Sequence, residues 1–273
     1  MRVALALILC LLLPAAASAQ TALVDVPVDG PADGPPLLLI NSLGADLRMW
    51  EPQVAVLAGT YRVVRYDARG HGRSPVPAGP YDLADLGRDA LGLLDELGMA
   101  RAHVCGLSLG GMTAMWLAAH APSRVDRLVL LCTSALLGPA SAWAARAATV
   151  LDQGTGAVAD VVAGRWITPG YGSSHSREMS LLRAMIAATP AVGYAGACAA
   201  IGSMDLRGDL SRIAAPTLVI AGADDPATPP SHGAAIAAAV PGARLAVVPD
   251  AAHLASWEQP AVVNELILEA LGG

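Results

Sequence analysis

Short, almost wholly apolar runs alternate along this chain with longer segments whose apolar residues recur at helical spacing. Runs of strand length that are apolar on both faces are typical of buried parallel strands. Their alternation with helices predicts an α/β fold with a mostly parallel, doubly wound sheet. The predicted strands are 36–40, 61–66, 102–105, 127–132, 216–221 and 243–248, with one more within 21–30; the predicted helices are 47–57, 81–97, 111–119, 231–240 and 261–271.

The strand pattern is interrupted once, between residues 137 and 205. This segment contains no convincing strand, and its Gly and Pro residues break it into several short helices. A helical insertion between the strands of a doubly wound sheet predicts a cap over the functional site. We therefore expect a core of residues 20–136 and 206–273, with a cap of 137–205.

The stretch Gly106-Leu107-Ser108-Leu109-Gly110 joins a predicted strand to a predicted helix. In that context G-x-S-x-G indicates a nucleophile elbow, a turn so tight that only Gly fits on either side of the Ser. The alternative is a Gly-rich turn in which Ser108 merely begins a helix. The elbow predicts Ser108 as a catalytic nucleophile.

A Ser hydroxyl needs a base to take its proton, and this chain contains no Lys that could do so. All seventeen of its basic residues are Arg, which leaves His. His253 follows a predicted strand at the carboxyl edge of the sheet, where open α/β sheets place their active groups. The rival His71 lies between two Gly and is interpreted as a turn residue, and His103 as a structural one.

An acid must orient the base, and Gly222-Ala223-Asp224-Asp225 follows another predicted strand. The order Ser, acid, His along the chain is that of α/β-hydrolases. Hydrolases of this kind usually carry G-x-x-D here, which selects Asp225 over Asp224. Asp250 is a weaker candidate because it is too close to His253 in sequence.

Two backbone N–H groups are needed to hold the oxyanion. One is expected from Leu109, which follows the nucleophile, and the other from Leu43 in the loop 41–44 after an early strand. The alternative for that loop is an ordinary turn.

The N-terminus begins with Met1-Arg2, continues with an apolar run to residue 13, and ends in an Ala-rich stretch before Gln20. This pattern predicts a signal peptide of residues 1–19, and hence export to the periplasm or the medium with no stable membrane span after processing. The alternatives are an uncleaved anchor and a misplaced start codon; a misplaced start codon would leave the protein in the cytoplasm.

The net charge of −6 and the absence of a basic run argue against a nucleic-acid partner. Cys105, Cys132 and Cys198 indicate neither a disulfide framework nor a zinc site.

Several of these stretches together resemble 3-oxoadipate enol-lactonases, from about residue 28 to the end. The more specific ones are Asn41-Ser42-Leu43-Gly44 and Leu47-Arg48-Met49-Trp50, while Arg69-Gly70-His71-Gly72-Arg73-Ser74 is common to many α/β-hydrolases. The resemblance implies the α/β-hydrolase fold and hydrolysis of a small enol-lactone to an open 3-oxo diacid. It implies no metal and no organic cofactor.

The carboxylate of such a substrate is expected to meet a cation, for which Arg48, Arg165 and Arg183 are candidates. Because the chain has no Phe, Trp143 and Trp166 are expected among the apolar residues of the pocket. The alternatives are a broad carboxylesterase, a perhydrolase or a carbon–carbon-bond hydrolase with the same residues, and a ligand-binding receptor built on a hydrolase fold. Two features depart from the family: only one strand, and not a hairpin, precedes the strand 36–40 that leads into the 41–44 loop, and the family is normally cytoplasmic.

Overall fold

The computed structural model describes residues 26–272, and its centre is one seven-stranded sheet. The strand order is β1-β3-β2-β4-β5-β6-β7; β1 pairs antiparallel with β3, and every other neighbouring pair is parallel. This is the mostly parallel α/β sheet that the pattern predicted. The strands are β1 (Val28–Asp29), β2 (Pro36–Ile40), β3 (Arg62–Arg65), β4 (Ala102–Leu107), β5 (Val125–Leu131), β6 (Thr217–Gly222) and β7 (Arg244–Val248).

Helices lie between the strands, and their bounds agree with the predicted ones to within about two residues. The segment predicted as one helix from residue 47 begins as a 3-10 turn, Leu47–Trp50, so that Pro52 falls in the first turn of the α-helix that follows. The α-helices are α1 (Glu51–Leu57), α2 (Leu83–Glu96), α3 (Leu109–His120), α4 (Ala140–Gln153), α5 (Gly156–Trp166), α6 (Pro169–Ser174), α7 (Ser176–Ala188), α8 (Ala191–Ser203), α9 (Pro230–Ala239), α10 (Ala255–Glu258) and α11 (Pro260–Leu271).

The middle of the sheet forms the core. All residues of β4 and β6 are buried, as their mostly apolar sequence predicts for strands covered on both faces. The edge strand β7 is different, because only its last residue, Val248, is buried. The turn with Ser108 and the loop with Asp225 therefore start from fully buried strands, whereas the loop with His253 follows the more exposed β7.

The helices α4 to α8 occupy the interruption between β5 and β6, within the range predicted for a cap. Their backbone meets the core closely at Gly193 in α8, where a Cβ atom would overlap the backbone of Gly70. Among residues 26–272 no single helix has the length and apolar character of a membrane span; α7 and α8 reach them only as a pair, bent by 91°.

The three cysteines within the described residues, Cys105, Cys132 and Cys198, are free and buried. The predicted signal peptide of residues 1–19 lies outside the described residues.

Candidate active site

Ser108 occupies the turn between β4 and α3 with a backbone conformation of φ 57° and ψ −116°. Residues with a Cβ atom rarely adopt this backbone conformation, so the surrounding contacts must hold Ser108 in it. The N–H of Ser108 donates to the carbonyl of Leu131 at 3.0 Å, and the Thr133 hydroxyl donates to the carbonyl of Ser108 at 2.7 Å. The end of β5 thus fixes the strained turn.

The two glycines of the G-x-S-x-G stretch are required by close packing. A Cβ atom on Gly106 would overlap the carbonyl of Gly110, and one on Gly110 would overlap the carbonyl of Ile40 at the end of β2. The turn is therefore pressed against the strand that leads into the 41–44 loop. This contact sets the distance between Ser108 and that loop.

His253 and Asp225 meet at the carboxyl edge of the sheet. Asp225 follows β6 and His253 follows β7; their side chains are buried, and His253 Nδ1 lies 2.8 Å from Asp225 Oδ2. The other carboxylate oxygen accepts the backbone N–H groups of Ala227 and Thr228 at 2.8 and 3.0 Å. The Thr228 hydroxyl donates to Oδ2 at 2.7 Å.

These partners keep Asp225 ionised. Burial by itself raises the pKa of the carboxyl, but the charge and hydrogen bond of His253 and the hydrogen bonds from Thr228 outweigh it and lower the pKa to about 2. An ionised Asp225 accepts a proton-bearing Nδ1, which leaves Nε2 of His253 as the ring nitrogen free to accept a proton.

A cavity of about 210 Å³ has Ser108 and His253 on its floor. This volume lies below the roughly 300–1,000 Å³ usual for ligand pockets, and it suits a small organic molecule. Its walls come from the 42–43 loop and from the helices of the predicted cap. The lining residues from those helices include Trp143, Arg146, Val162, Arg165, Trp166, Tyr194 and Ile201.

The 41–44 loop presents Leu43 to this cavity, with both neighbouring N–H groups already engaged. The N–H of Ser42 donates to Met49 Sδ at 3.2 Å, and that of Gly44 donates to His71 Nε2 at 3.0 Å. The N–H of Leu43 has no partner among residues 26–272. Leu109 is the first residue of α3, so its N–H has no intrahelical carbonyl to bond. Both are the groups that the sequence predicted as oxyanion donors.

His71 belongs to a turn, as predicted, but it also supports the 41–44 loop. Because its Nε2 accepts from Gly44, the proton of the neutral ring is on Nδ1, which lies 3.1 Å from the carbonyl of Arg69. Burial lowers the pKa of His71 and favours this neutral form. His71 is not among the residues that line the cavity, and both ring nitrogens are occupied.

Of the three arginines predicted to bind the substrate carboxylate, two lie away from the cavity. Arg48 does not line the cavity; its guanidinium pairs with Asp46 at 2.7 Å, and its side chain is 45% exposed. Arg183 pairs with Asp160 at 2.7 Å and also lies outside the cavity. The prediction for Arg48 is therefore wrong. Although Arg48 is close in sequence to the 41–44 loop, its side chain pairs with Asp46 and does not line the cavity. Of the three, only Arg165 lines the cavity.

Several residues of the site region were not anticipated, among them Arg146, Thr228 and Glu258. Glu258 is buried and joins two parts of the molecule, because one oxygen accepts the N–H of Ala252 at 2.6 Å and the other accepts the N–H and hydroxyl of Thr168 at 2.8 and 2.7 Å. It thereby ties the loop of His253 to the helices above it. Only Thr228 had a local signal, because the Asp225-Pro226 dipeptide before it favours a turn.

In the part of the chain that the structure describes, no three His, Cys, Asp or Glu side chains come together as a metal site requires.

Comparison with known proteins agrees with this geometry. Residues 35–164 and 171–260 match the family described as alpha/beta hydrolase fold. The chain is 40% identical over 250 residues to 3-oxoadipate enol-lactonase 2 of Acinetobacter baylyi, covering 92% of this chain and 93% of that protein. A solved hydrolase of Pseudomonas aeruginosa PA01 is 48% identical with a TM-score of 0.88, covering 91% of this chain and 94% of that one. The solved enol-lactonase of Burkholderia xenovorans LB400 is 40% identical with a TM-score of 0.89, covering 91% and 96%.

Proposed function

The chain belongs to the alpha/beta hydrolase family as a carboxylic-ester hydrolase, and from that premise we propose that it opens 3-oxoadipate enol-lactone to 3-oxoadipate. One observation carries the proposal more than any other. Ser108, on its strained turn, shares a small cavity with His253, in a chain 40% identical to an enol-lactonase over nearly its whole length. No metal or organic cofactor takes part in the proposed reaction.

The proposed reaction begins with attack of the Ser108 hydroxyl oxygen on the lactone carbonyl, while His253 Nε2 takes the hydroxyl proton. The backbone N–H groups of Leu43 and Leu109 hold the oxyanion of the tetrahedral intermediate. The ring C–O bond then breaks, and the departing enolate oxygen takes the proton from His253. Asp225 stabilises the charged imidazole throughout.

The second half of the reaction releases the acyl group. Water attacks the Ser108 ester, and His253 takes a proton from the water. Breakage of the ester C–O bond returns that proton to Ser108 and frees the carboxylic acid, while the enol becomes the 3-oxo group. The hydrolysis consumes one water, and no oxidant or reductant is needed.

The test is an assay of the purified protein with the enol-lactone beside a panel of simple esters. We expect a rapid fall in lactone absorbance and a kcat/KM for lactone well above that for p-nitrophenyl acetate. A protein that turns over p-nitrophenyl esters quickly and spares the lactone is instead a broad carboxylesterase, and one that binds either ligand without turnover is a receptor.

The carboxylesterase alternative has one structural observation in its favour. A second, mostly apolar groove of about 810 Å³ lies between α4 and α8, and it shares Trp143 with the catalytic cavity. The indole N–H donates to the carbonyl of Leu137 at 2.7 Å, which holds the ring between the two spaces. An ester with a longer acyl chain could reach from the catalytic cavity into the groove only if the Trp143 ring moved. The ester panel should therefore include such esters.

We also propose that the protein is exported and that residues 1–19 are removed in the process. The charged start, apolar run and Ala-rich end of that segment support the proposal. Mass measurement of the protein from its native host is expected to give an N-terminus at Gln20. A chain that retains Met1 and its apolar run, or one that begins downstream of Gln20 at another start codon, would contradict it.

A further inference from the structure

The loop that carries His253 is attached to the helices above it on both sides of that residue. The backbone N–H of Ala252 donates to Glu258 Oε2 at 2.6 Å, and the N–H of Leu254 donates to the carbonyl of Trp166 at 2.6 Å. Trp166 ends α5 and lines the catalytic cavity. The position of the proposed base therefore depends on the end of α5 and the segment that follows it.

Glu258 is the centre of this attachment, because it joins its own loop to a residue 90 positions earlier in the chain. While Oε2 accepts from Ala252, Oε1 accepts the N–H and the hydroxyl of Thr168 at 2.8 and 2.7 Å. Thr168 is the N-cap of α6, two residues after Trp166. All three partners are donors, so both oxygens of the carboxylate are needed, and a side-chain amide has only one oxygen to offer.

Glu258 is buried, although the burial of a carboxylate is costly. Its hydrogen-bonding partners within residues 26–272 are two backbone N–H groups and a hydroxyl, and none of them is a cation. An apolar contact could hold the two segments together at lower cost. A directional set of hydrogen bonds has a reason here, because the backbone that it fixes is one residue away from His253.

The same short helix, α10, also contacts the loop of the predicted oxyanion donor. The indole N–H of Trp257 donates to the carbonyl of Met49 at 2.6 Å, and Met49 Sδ accepts the N–H of Ser42 at 3.2 Å. Ser42 precedes Leu43, so adjacent residues of α10 reach the oxyanion loop on one side and the loop of the base on the other. These two groups must act together on one substrate carbonyl.

We propose that Glu258 is a positioning residue for the reaction, which holds the His253 loop against the start of α6 so that Nε2 faces the Ser108 hydroxyl. Glu258 does not line the cavity. It acts through the backbone of Ala252, and hence through the placement of the imidazole. The inference rests on the proposed function for the roles of Ser108 and His253, and does not depend on which ester is the substrate.

The kinetic test replaces Glu258 by Gln, which keeps the size of the side chain but turns an NH₂ donor toward one of the two backbone N–H donors. We expect kcat to fall about 10- to 100-fold, with KM changed less than about threefold, because a misplaced base slows the chemical step and leaves the cavity intact. The loss should be similar for the enol-lactone and for p-nitrophenyl acetate, since His253 serves both. An unchanged kcat, or a loss confined to KM, would overturn the proposal.

Thr168→Val tests the same link from its other end and leaves Glu258 in place. It removes the hydroxyl that donates to Oε1 and keeps the backbone N–H, so we expect a smaller loss in kcat, about 3- to 10-fold. The double variant should be no slower than Glu258→Gln alone, because both changes break one link. Losses that multiply would show two independent effects and contradict the proposal. If the Glu258→Gln protein does not fold, the Thr168→Val protein decides, and an unchanged kcat in it refutes the proposal.

Two controls separate positioning from a loss of charge and from a loss of stability. Glu265→Gln removes the same charge from an exposed residue of α11 and should leave kcat unchanged. Ile267→Val shortens a fully buried side chain of that helix and should lower the denaturant midpoint without changing kcat. If Ile267→Val slows the reaction as much as Glu258→Gln does, the effect is one of stability and the positioning role is wrong.

The two substrates also distinguish failure of this inference from failure of the proposed function. A wild-type protein that hydrolyses p-nitrophenyl acetate and spares the lactone overturns the proposed substrate. A reduced kcat of Glu258→Gln for that ester would still support the positioning of the base. Full lactone turnover by Glu258→Gln would instead leave the proposed function standing and overturn the role of Glu258.

Discussion

Replacing Ser108 by Ala is expected to lower kcat for the enol-lactone by at least about 10⁴-fold. The loss is large because the acyl-enzyme cannot form, and His253 and Asp225 have no hydroxyl left to activate. The two predicted oxyanion donors, Leu43 and Leu109, act through backbone N–H groups and are unchanged. The variant should therefore retain only the small rate that binding and oxyanion stabilisation supply.

The measurement is steady-state turnover of the lactone by the variant and the wild-type protein. Ser173→Ala is the matched control, because Ser173 is exposed on α6 and its hydroxyl donates only to the carbonyl of Pro169 within the described residues. Circular dichroism of the Ser108 variant should match that of the wild type. Retention of about a tenth or more of wild-type kcat would show that Ser108 is not the nucleophile.

Replacing Gly110 by Ala is expected to reduce the free energy of unfolding by about 3 kcal/mol or more and to abolish most activity. The new methyl group would overlap the carbonyl of Ile40 and press on that of Asn41, both of which are backbone atoms that cannot turn aside. Relief of the overlap requires α3 to separate from β2. That movement would shift Ser108 away from Leu43, so both reaction rate and stability should fall.

Denaturant unfolding of the Gly110 variant measures the stability loss, and the lactone assay measures the activity loss. Gly164→Ala is the control, since Gly164 lies within α5 and a Cβ atom there meets nothing within 4 Å. In a helix this change should instead stabilise the protein by about 0.5–1 kcal/mol. A Gly110→Ala protein as stable as the wild type would show that the turn does not press on β2.

Much of the fold could be predicted because the relevant signals are local. The mostly apolar runs of β4 and β6 indicate burial on both faces, and apolar residues at helical spacing indicate helices such as α2. Ser108 was recognisable for the same reason: a strand, a glycine-flanked Ser and a helix follow one another directly. Asp225 and His253 required one further step, the rule that carboxyl ends of parallel strands meet at one edge.

The sequence by itself therefore determined the sheet, its helices and the three side chains proposed for catalysis. Tertiary structure alone decided which arginines line the cavity: Arg146 and Arg165 do, and Arg48 does not. Arg48, next to the 41–44 loop, is drawn to Asp46, while Arg146 arrives from a helix about a hundred residues away in the chain.

The link from Glu258 to Thr168 and the contact of His71 with Gly44 were likewise decided only by the fold. Each pairs residues distant in sequence. Such contacts depend on how packed elements are placed relative to one another, and neither spacing nor composition along the chain encodes that placement.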